Sequence, residues 1–538
     1  MGLVDSILPH GTKASRVALA TLSTILFLTF LDTTIMSVAL YDLQQTLHTT
    51  VADLQWIVNA YALLFAALML AFGTLGDRLG RRKVMLAGVV VFVAGSILGA
   101  LAPNIAVLTA ARGLMGIGAA ACEPGTLSIL RHLYPERRDR ARALGIWAAV
   151  AGLALAMGPV IGGILVGLGG WPAIFWFNVA AGALAFVAAL RTVPESSDPE
   201  AGRFDWGGFI LGPLALGTIV FAIILGEGSG YTAPVVLTLF AVGAVALVLF
   251  SFVETRVKAP MLKVQYMRKP AFSGSLAVAF ATYFGVFSIF FLTALYLQVV
   301  LGYTAYRTAA LFVPMALGMI VASAIAGRWV AESGPRIPVA VGCFCAGAGV
   351  LFTDLALSGS VTYLPMVFSL LLAGVGFGIA VVPITSVALS ALPARHSGMA
   401  ASATTTAREV GTVIGVAALG SLFNTKLLGF LTAGLIREGV PPEYRKVVID
   451  AVLTGQFSGE AAKQAEALYG EIAKKVVGVA YAAVHSGVSL ALVVAGGVIL
   501  ASGMVAYFTF TPARLDIEKD DEADGTGEIG LENGASHT

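Results

Sequence analysis

Six charged residues lie inside long apolar segments of the sequence, where a charge is costly. They are Asp32, Arg112, Glu123, Asp354, Arg408 and Glu409. An Asp, Lys or Arg at the middle of a membrane costs about 2.5 to 3.5 kcal/mol, and such residues usually take part in function. A carboxyl group in that setting can hold and release a proton or bind a cation. These side chains are therefore candidates for ion-coupled chemistry.

Three of the six lie in the first quarter of the chain. For Asp32 we favour protonation or cation binding, and the alternative is a buried, hydrogen-bonded acid that only anchors its helix. Arg112 is either a static ion-pair partner or a group that modulates proton release. Glu123 follows Arg112 by eleven residues, almost three helical turns, so both are expected to face one cavity. The alternative for Glu123 is a packing role in which it pairs with Arg112 or a neighbouring helix.

The other three charges lie in the second half of the chain. Arg408 and Glu409 are consecutive, so on a helix they point about 100° apart and need different partners. For this pair a structural role is as consistent with the sequence as a transport role. Asp354 lies near the end of its apolar segment, close to water, which favours a structural role.

Other chemistry finds no support in the sequence. The six histidines are scattered, the three cysteines lie in apolar stretches, and no metal site is recognisable. No Gly-Lys-Ser/Thr phosphate loop is present, which disfavours an ATP-driven pump within one chain. We expect no enzymatic activity, no metal and no cofactor.

The elements that must position these charges are membrane spans. The chain has 538 residues, of which 58% are hydrophobic and only 12% are charged, about half the fraction of a soluble protein. A span needs about 20 apolar residues, and fourteen such runs are present. They cover about 17–38, 56–75, 85–103, 108–130, 143–167, 174–190, 207–226, 233–253, 272–299, 305–327, 337–357, 362–386, 402–424 and 478–509.

The loops predict the orientation. Loops 2–3, 4–5 and 8–9 are rich in Lys and Arg, whereas the short loops at 102, 169 and 226 have none, and Arg307 is the one exception. Because Lys and Arg in short loops mark the cytoplasmic side, we expect both termini in the cytoplasm. The nearly balanced charge, 33 basic against 31 acidic residues, makes nucleic acid an unexpected partner.

The chain is divided here into four regions. Residues 1–195 hold six spans, 196–270 are a linker with two further spans, and 271–511 hold the last six spans. The region 271–511 includes a loop at 425–476 on the outer side. The helical apolar spacing of this loop suggests an extracellular helical hairpin. Residues 512–538 are acidic and Gly-rich, which predicts a disordered cytoplasmic tail.

The most specific motif joins predicted spans 2 and 3. It runs Gly73-Thr-Leu-Gly-Asp77-Arg78-Leu-Gly80-Arg81-Arg82-Lys83. Its glycines allow helix ends to approach closely, and the acid and arginines can form a charge network there. A generic positively charged loop would explain the arginines but not Asp77 between the two glycines. The string resembles motif A of the major facilitator superfamily.

Further strings resemble the fourteen-span branch of the drug:proton antiporters in that superfamily. Leu31-Asp32-Thr33-Thr34-Ile35 resembles the branch signature in the first span, and Arg112-Gly-Leu-Met-Gly116 resembles motif B. Gly158-Pro159 with Gly162-Gly163 resembles motif C, which is associated with antiporters. The resemblance covers essentially the whole chain apart from the acidic tail.

The resemblance implies an all-helical major facilitator fold, in which residues 1–195 form an N-terminal six-helix bundle, 271–511 a C-terminal six-helix bundle and spans 7 and 8 a linker pair. It also implies an exporter of drug-like or antibiotic compounds. Protons would move inward as a small lipophilic substrate moves outward by alternating access, with Asp32, Arg112 and Glu123 at the cavity. The expected setting is a monomer among the lipids of the cytoplasmic membrane. Rival functions are a dedicated exporter of one endogenous metabolite, lipid or siderophore, and, in a different class, a non-transporting receptor or scaffold.

Overall fold

The structure is a computed structural model that describes residues 12–197, 205–257, 260, 263–358, 363–392, 397–453 and 459–510. Nearly all of these residues are helical, as the long apolar runs predict. The acidic tail at 512–538, predicted to be disordered, lies outside the described residues.

Among the described residues, thirteen helices are long and apolar enough to cross a membrane, and a bent pair counted as one span brings the number to the predicted fourteen. Thirteen pass by length and hydropathy as single helices, and one, Val51–Leu79, passes as two parts, Asp53–Met69 and Ala71–Leu79, bent by 53°. In chain order, spans 1 to 14 are Lys13–Ile35, Val51–Leu79, Arg81–Ala100, Ile105–Leu133, Arg137–Gly169, Pro172–Thr192, Trp206–Ser229, Pro234–Arg256, Pro270–Val299, Ala305–Ser333, Arg336–Leu357, Tyr363–Ser390, Ser397–Arg437 and Gly459–Thr509.

Capping residues and prolines in the sequence mark where several of these helices begin. Thr50 begins span 2 with a capping box: its Oγ1 accepts from the Asp53 N–H at 3.3 Å, and the Asp53 carboxylate accepts from the Thr50 N–H at 2.9 Å. Oδ1 of Asn104 accepts from the Val107 N–H at 3.0 Å and caps span 4. A proline is the first residue of spans 6, 8 and 9, where no N–H donor is required (Pro172, Pro234 and Pro270).

Contacts between the connections define two ends of the molecule. The Arg82 N–H donates to Oε1 of Glu195 at 3.1 Å, so connections 2–3 and 6–7 lie at the same end. At the opposite end the Trp171 N–H donates to Oδ2 of Asp42 at 2.7 Å, which joins connections 1–2 and 5–6. We call the end that carries Arg82 the basic end, and the other end the distal end.

Spans 1–6 and spans 9–14 form two bundles that meet where spans 2 and 13 and spans 5 and 10 pack together. At the distal end, Nε2 of Gln298 donates to the Val38 carbonyl at 3.0 Å and joins span 9 to the end of span 1. Val38 closes a 3₁₀ turn, Met36–Val38, that follows span 1 and precedes the short helix Leu40–Leu47. The distal end of the seam between the bundles is therefore closed by direct contacts.

Spans 7 and 8 pack against each other, and span 7 also contacts both bundles. An apolar cluster at that junction takes residues from spans 2, 7 and 13: Ala62, Val220, Ile224, Val413 and Ala417. Tyr231, just after span 7, hydrogen bonds to Ser421 of span 13 and donates to the Ile223 carbonyl at 3.1 Å. The linker pair thus covers one side of the seam between the bundles.

The segment 425–476 is helical where its apolar spacing predicts helices, and two of these helices are continuous with spans 13 and 14. The helix of span 13 continues to Arg437, the short helix Pro442–Leu453 follows, and the helix of span 14 begins at Gly459. The first helix ends at a turn in which Gly439 has a φ of 74° and the Val440 N–H donates to the Leu435 carbonyl at 3.0 Å. The apolar run ends earlier, at about residue 424, because a helix can leave the membrane without ending. Nε2 of Gln44 donates to the Leu453 carbonyl at 3.0 Å, which ties this segment to the first distal connection.

Candidate functional site

Asp32 is fully buried in span 1 and forms an ion pair with Arg112 of span 4. Nη1 of Arg112 donates to Oδ2 of Asp32, and Nη2 lies 3.5 Å from the Asp32 carbonyl. Nδ2 of Asn178, in span 6, donates to Oδ1 of the same carboxylate at 2.7 Å. Three helices of the N-terminal bundle therefore supply one charged, hydrogen-bonded unit.

Span 2 completes this unit through its backbone and one aromatic ring. Nε of Arg112 donates to the Ile57 carbonyl at 3.2 Å, and the guanidinium lies 4.5 Å from the centre of the Tyr61 ring. The Tyr61 hydroxyl donates to the Thr29 carbonyl at 2.7 Å, and this hydrogen bond links span 2 to span 1. Arg112 is fully buried, and removing its partner would leave an uncompensated charge that costs about 3–5 kcal/mol.

Glu123 belongs to a second cluster and lies one residue before Pro124 in span 4, with 3% of its surface exposed. Thr405 of span 13 lies beside its carboxyl group, and Arg408 lies within electrostatic range of it. The Thr405 hydroxyl donates to the Ala401 carbonyl at 3.2 Å. Within the described part of the chain, Oε2 of Glu123 has no hydrogen-bond partner. Glu123 therefore faces the opposite bundle.

Arg408 and Glu409 complete the second cluster from span 13. Nη2 of Arg408 donates to the Val381 carbonyl at 3.0 Å and to Oγ1 of Thr385 at 2.5 Å, both in span 12. Its guanidinium lies 5.5 Å from the centre of the Tyr283 ring of span 9. Glu409 is fully buried, and neither of its carboxyl oxygens has a hydrogen-bond partner among the described residues.

Arg112 and Glu123 have different side-chain partners, and that they face one cavity stays a prediction. Their eleven-residue separation puts them on the same face of span 4 but about 16 Å apart along its axis. Arg112 reaches Asp32 within its own bundle, whereas Glu123 meets residues of span 13. The same face of span 4 therefore carries two charge clusters, one within a bundle and one between bundles.

Motif A forms a network at the basic end. Nε of Arg81 donates to Oδ1 of Asp77 at 2.7 Å, and the Arg81 N–H donates to the Ser196 carbonyl at 2.9 Å. Gly80 has a φ of 107°, which L side chains rarely adopt, and a Cβ there would lie 2.8 Å from the Glu195 carboxylate. The chain turns between spans 2 and 3 only because a glycine stands at this position.

The remaining motif A residues lie around this turn. Arg78 is exposed in the last turn of span 2. A Cβ added to Gly73 would lie 3.5 Å from the Cβ of Pro124. Span 2 therefore approaches span 4 closely beside Glu123. The first glycine of motif A therefore lies beside the part of span 4 that carries Glu123.

The glycines of motif C bring span 5 against a helix of each bundle. A Cβ on Gly158 would lie 1.9 Å from Oγ1 of Thr34, and one on Gly162 would lie 2.6 Å from the Ile35 carbonyl. A Cβ on Gly163 would lie 2.4 Å from that of Ala309 in span 10. Pro159 lies inside the same helix. This glycine face lets span 5 contact both span 1 and span 10.

Asp354 joins neither charge cluster among the described residues. It is partly exposed in the last turn of span 11, and its Oδ1 has no hydrogen-bond partner in the described part of the chain. This placement agrees with its position near the end of the apolar segment.

The sequence reasoning assigned no role to several residues of the two clusters. These residues are Asn178, Tyr61, Tyr283 and Thr405. Gln55 and Asn59, one turn apart on span 2, are fully buried, and no atom of their amide groups has a partner among the described residues. Polar residues inside apolar spans were the available signal for all six.

Metal binding finds no support in the geometry either. Within the described residues, no group of three or more His, Cys, Asp and Glu side chains could hold a metal ion.

Comparison with known proteins decides the family. The model of the family described as "Major Facilitator Superfamily" matches residues 22–416. The chain belongs to the major facilitator superfamily. Its fourteen spans accordingly form two six-helix bundles and a two-helix linker, as expected for this transporter fold.

Similar proteins are named for drug resistance or efflux. The chain is 36% identical to multidrug resistance protein Stp of Mycobacterium tuberculosis, over 80% of this chain and 79% of that protein. It is 34% identical to the methylenomycin A resistance protein of Bacillus subtilis, over 75% and 86%. It is 30% identical to multidrug efflux pump LfrA of Mycolicibacterium smegmatis, over 92% and 96%.

A solved structure shares the fold. It is a bacterial homolog of the human lysosomal transporter Spinster in an inward-facing, unoccupied conformation, with a TM-score of 0.62 and 18% sequence identity. The match covers 94% of this chain and 100% of that one. At this identity the likeness concerns the fold alone.

Proposed function

We propose that the protein is a proton-coupled antiporter that exports drug-like or antibiotic compounds across the cytoplasmic membrane. The observation that carries the proposal is the buried Asp32 carboxylate, which is held by Arg112 and Asn178. The printed names of the relatives, which refer to multidrug and antibiotic resistance, support the substrate class. The substrate is a small lipophilic molecule, and the coupling ion is the proton.

Asp32 is the group that takes up the coupling proton. Protonation removes its negative charge, so that the buried Arg112 guanidinium loses its counter-ion and must find other acceptors. Because spans 1, 2, 4 and 6 all contribute to this unit, its rearrangement alters the packing of the N-terminal bundle. A proton moving inward supplies roughly 2.3 kcal/mol per 100 mV of membrane potential, and no further cofactor is required.

Motifs A and C act on the conformational change. The basic end lies in the cytoplasm with both termini. The contacts of Asp77 with Arg81 and of Glu195 with the Arg82 N–H hold that end in one arrangement. The glycine face of span 5 lets spans 1 and 10 pack closely against it and slide over it during the conformational change. The functional unit is a monomer in lipid, divided into the regions 1–195, 196–270 and 271–511.

Transport in everted membrane vesicles tests this function. A panel of lipophilic cationic dyes and neutral antibiotics is offered at a fixed pH gradient, and uptake into the everted vesicles is followed. We expect uptake of several compounds that collapses when a protonophore removes the gradient. Uptake of a single compound would favour a dedicated exporter of one metabolite, and no gradient-dependent movement of any compound would contradict the proposal.

A further inference from the structure

Two amide side chains of span 2 are buried at the seam between the bundles. Gln55 and Asn59 are both fully buried, and they are separated by about one helical turn, so they share one face of the span. Among the described residues, neither the amide oxygen nor the amide nitrogen of either side chain has a hydrogen-bond partner. Four strongly polar atoms therefore lack partners in one small region.

Contacts with span 13 show which way this face points. A Cβ on Gly420 of span 13 would lie 2.4 Å from Nε2 of Gln55, so the Gln55 amide rests against bare glycine backbone. Nearer the basic end, Oγ1 of Thr406 lies 3.9 Å from the sulfur of Met69 in span 2. From the first contact to the second, span 2 advances by as many residues as span 13 goes back. The two spans are therefore antiparallel neighbours in one constant register.

The register places Asn59 opposite Val416, an apolar residue of span 13 that is 5% exposed. Because a valine side chain has neither a donor nor an acceptor, it leaves the Asn59 amide without a partner. Further along the same seam, Ala62 packs with Val413 and Ala417 in the apolar cluster of spans 2, 7 and 13. The two amides thus border an apolar surface.

An external partner explains why these two positions are polar. A buried polar group that forms no hydrogen bond has lost its water and gained nothing in exchange, so most buried polar atoms have partners. Side chains of nearly the same shape, Met in place of Gln55 and Leu in place of Asn59, would fill the space without this penalty. The amides are useful where a bound molecule supplies the missing donors and acceptors.

We propose that Gln55 and Asn59 bind the amide group of neutral substrates. The side-chain N–H groups donate to the substrate carbonyl, and the side-chain oxygens accept from the substrate N–H. The neighbouring apolar residues contact the hydrocarbon part of the substrate, a combination typical of small-molecule sites. This inference rests on the proposed export function and deepens it by naming a class of substrate.

The site has two properties that follow from its position and chemistry. Because Gln55 contacts Gly420 directly in this conformation, a substrate reaches the amides when spans 2 and 13 move apart, and these spans belong to different bundles. Amide side chains do not titrate, so binding here neither takes up nor releases a proton. Recognition of the substrate is thereby separated from the acid that carries the proton.

A matched pair of probes tests the proposal. N-benzylbenzamide and benzyl benzoate differ only in that an ester oxygen replaces the amide N–H. Equilibrium binding of each radiolabelled probe is measured with the full-length protein in lipid nanodiscs, and empty nanodiscs correct for partition into lipid. The wild type should bind the amide about tenfold more tightly, because the ester leaves a side-chain oxygen without a donor. The double variant Gln55→Met/Asn59→Leu should bind both probes equally, with unchanged affinity for the ester.

A second variant disturbs the site while both amides are retained. In Gly420→Ala the added Cβ meets only the flexible end of the Gln55 side chain, so we expect the protein to fold and its preference for the amide to fall. Gln265→Met is the matched control: it makes the same substitution at an exposed position in the 3₁₀ helix Val264–Arg268 and should leave the preference unchanged. Because the double variant removes unpaired polar groups, its thermal unfolding midpoint should equal or exceed that of the wild type.

Three results would contradict the proposal. They are equal affinity of the wild type for the two probes, an equal loss of affinity for both probes in the double variant, and an unchanged preference for the amide together with a lower unfolding midpoint. The last result would assign the amides to bound water alone. Failure of the proposed function looks different: a wild type that prefers the amide probe but moves no compound of the transport panel under a pH gradient would overturn antiport and leave this site standing.

Discussion

Arg112 and Asn178 bind different oxygen atoms of the Asp32 carboxylate, Arg112 at Oδ2 and Asn178 at Oδ1. The two donors come from spans 4 and 6, so the carboxylate of span 1 joins three helices at one point. Protonation of a single group therefore weakens two interhelical contacts at once. Protonation of Asp32 would therefore change how spans 1, 4 and 6 pack in the N-terminal bundle.

Arg112→Leu should destabilise the protein, because it leaves the buried Asp32 carboxylate without its counter-ion. We expect a loss of about 3–5 kcal/mol, visible as a lower midpoint of thermal unfolding in detergent. The double variant Asp32→Asn/Arg112→Leu removes both charges and should recover most of the lost stability without recovering transport. A double variant as unstable as Arg112→Leu alone would contradict a pairwise origin of the effect.

Gly158→Ala should impair folding and transport, because the added Cβ would lie 1.9 Å from Oγ1 of Thr34. Span 5 would have to move away from span 1, beyond the reach of a small side-chain adjustment. Gly152→Ala is the matched control in the same helix, since nothing lies within 4 Å of a Cβ at that position. Folded protein is measured by size-exclusion chromatography, and equal yields from the two variants would show that the close approach is not required.

Asp77→Ala should slow transport strongly while substrate binding is retained. The Asp77 carboxylate accepts from Arg81 at the basic end, outside both charge clusters, so its loss affects the change between conformations. Substrate affinity is measured by titration of the purified protein, and transport by initial rates in vesicles. Normal rates would show that the motif serves only to orient the chain in the membrane.

Glu123→Gln should selectively weaken export of cationic dyes and spare neutral compounds. An unpaired carboxylate at a buried site either holds a proton or attracts a cation, and the amide does neither. Initial efflux rates are compared for one cationic and one neutral substrate, normalised to protein in the membrane. Equal losses for both substrates, together with lower thermal stability, would assign Glu123 a packing role instead.

The spans and the buried charges could be predicted from the sequence for a simple physical reason. The thickness of a bilayer dictates the length of an apolar run, and the cost of a buried charge singles out Asp32, Arg112, Glu123 and Glu409. The family followed from short motifs such as the turn around Gly80. These features depend on local composition alone.

The pairing of the charges could not be predicted, because it depends on contacts between distant segments. Asp32 and Arg112 are 80 residues apart in the sequence, and neither segment contains a signal that identifies the other as its partner. Helical periodicity places Arg112 and Glu123 on one face of span 4, but it could not show which helices cover each part of that face. Hydropathy likewise could not show that span 13 continues as a helix to Arg437.

The account depends most on Asp32 as the carrier of the coupling proton. Wild-type protein and Asp32→Asn are reconstituted in proteoliposomes at equal density, and substrate movement driven by an imposed pH gradient is measured. The amide preserves the shape of the side chain but cannot carry a proton, so we expect the variant to be inserted and folded, with gradient-driven transport abolished. Undiminished gradient-driven transport by the inserted Asp32→Asn protein would contradict the mechanism.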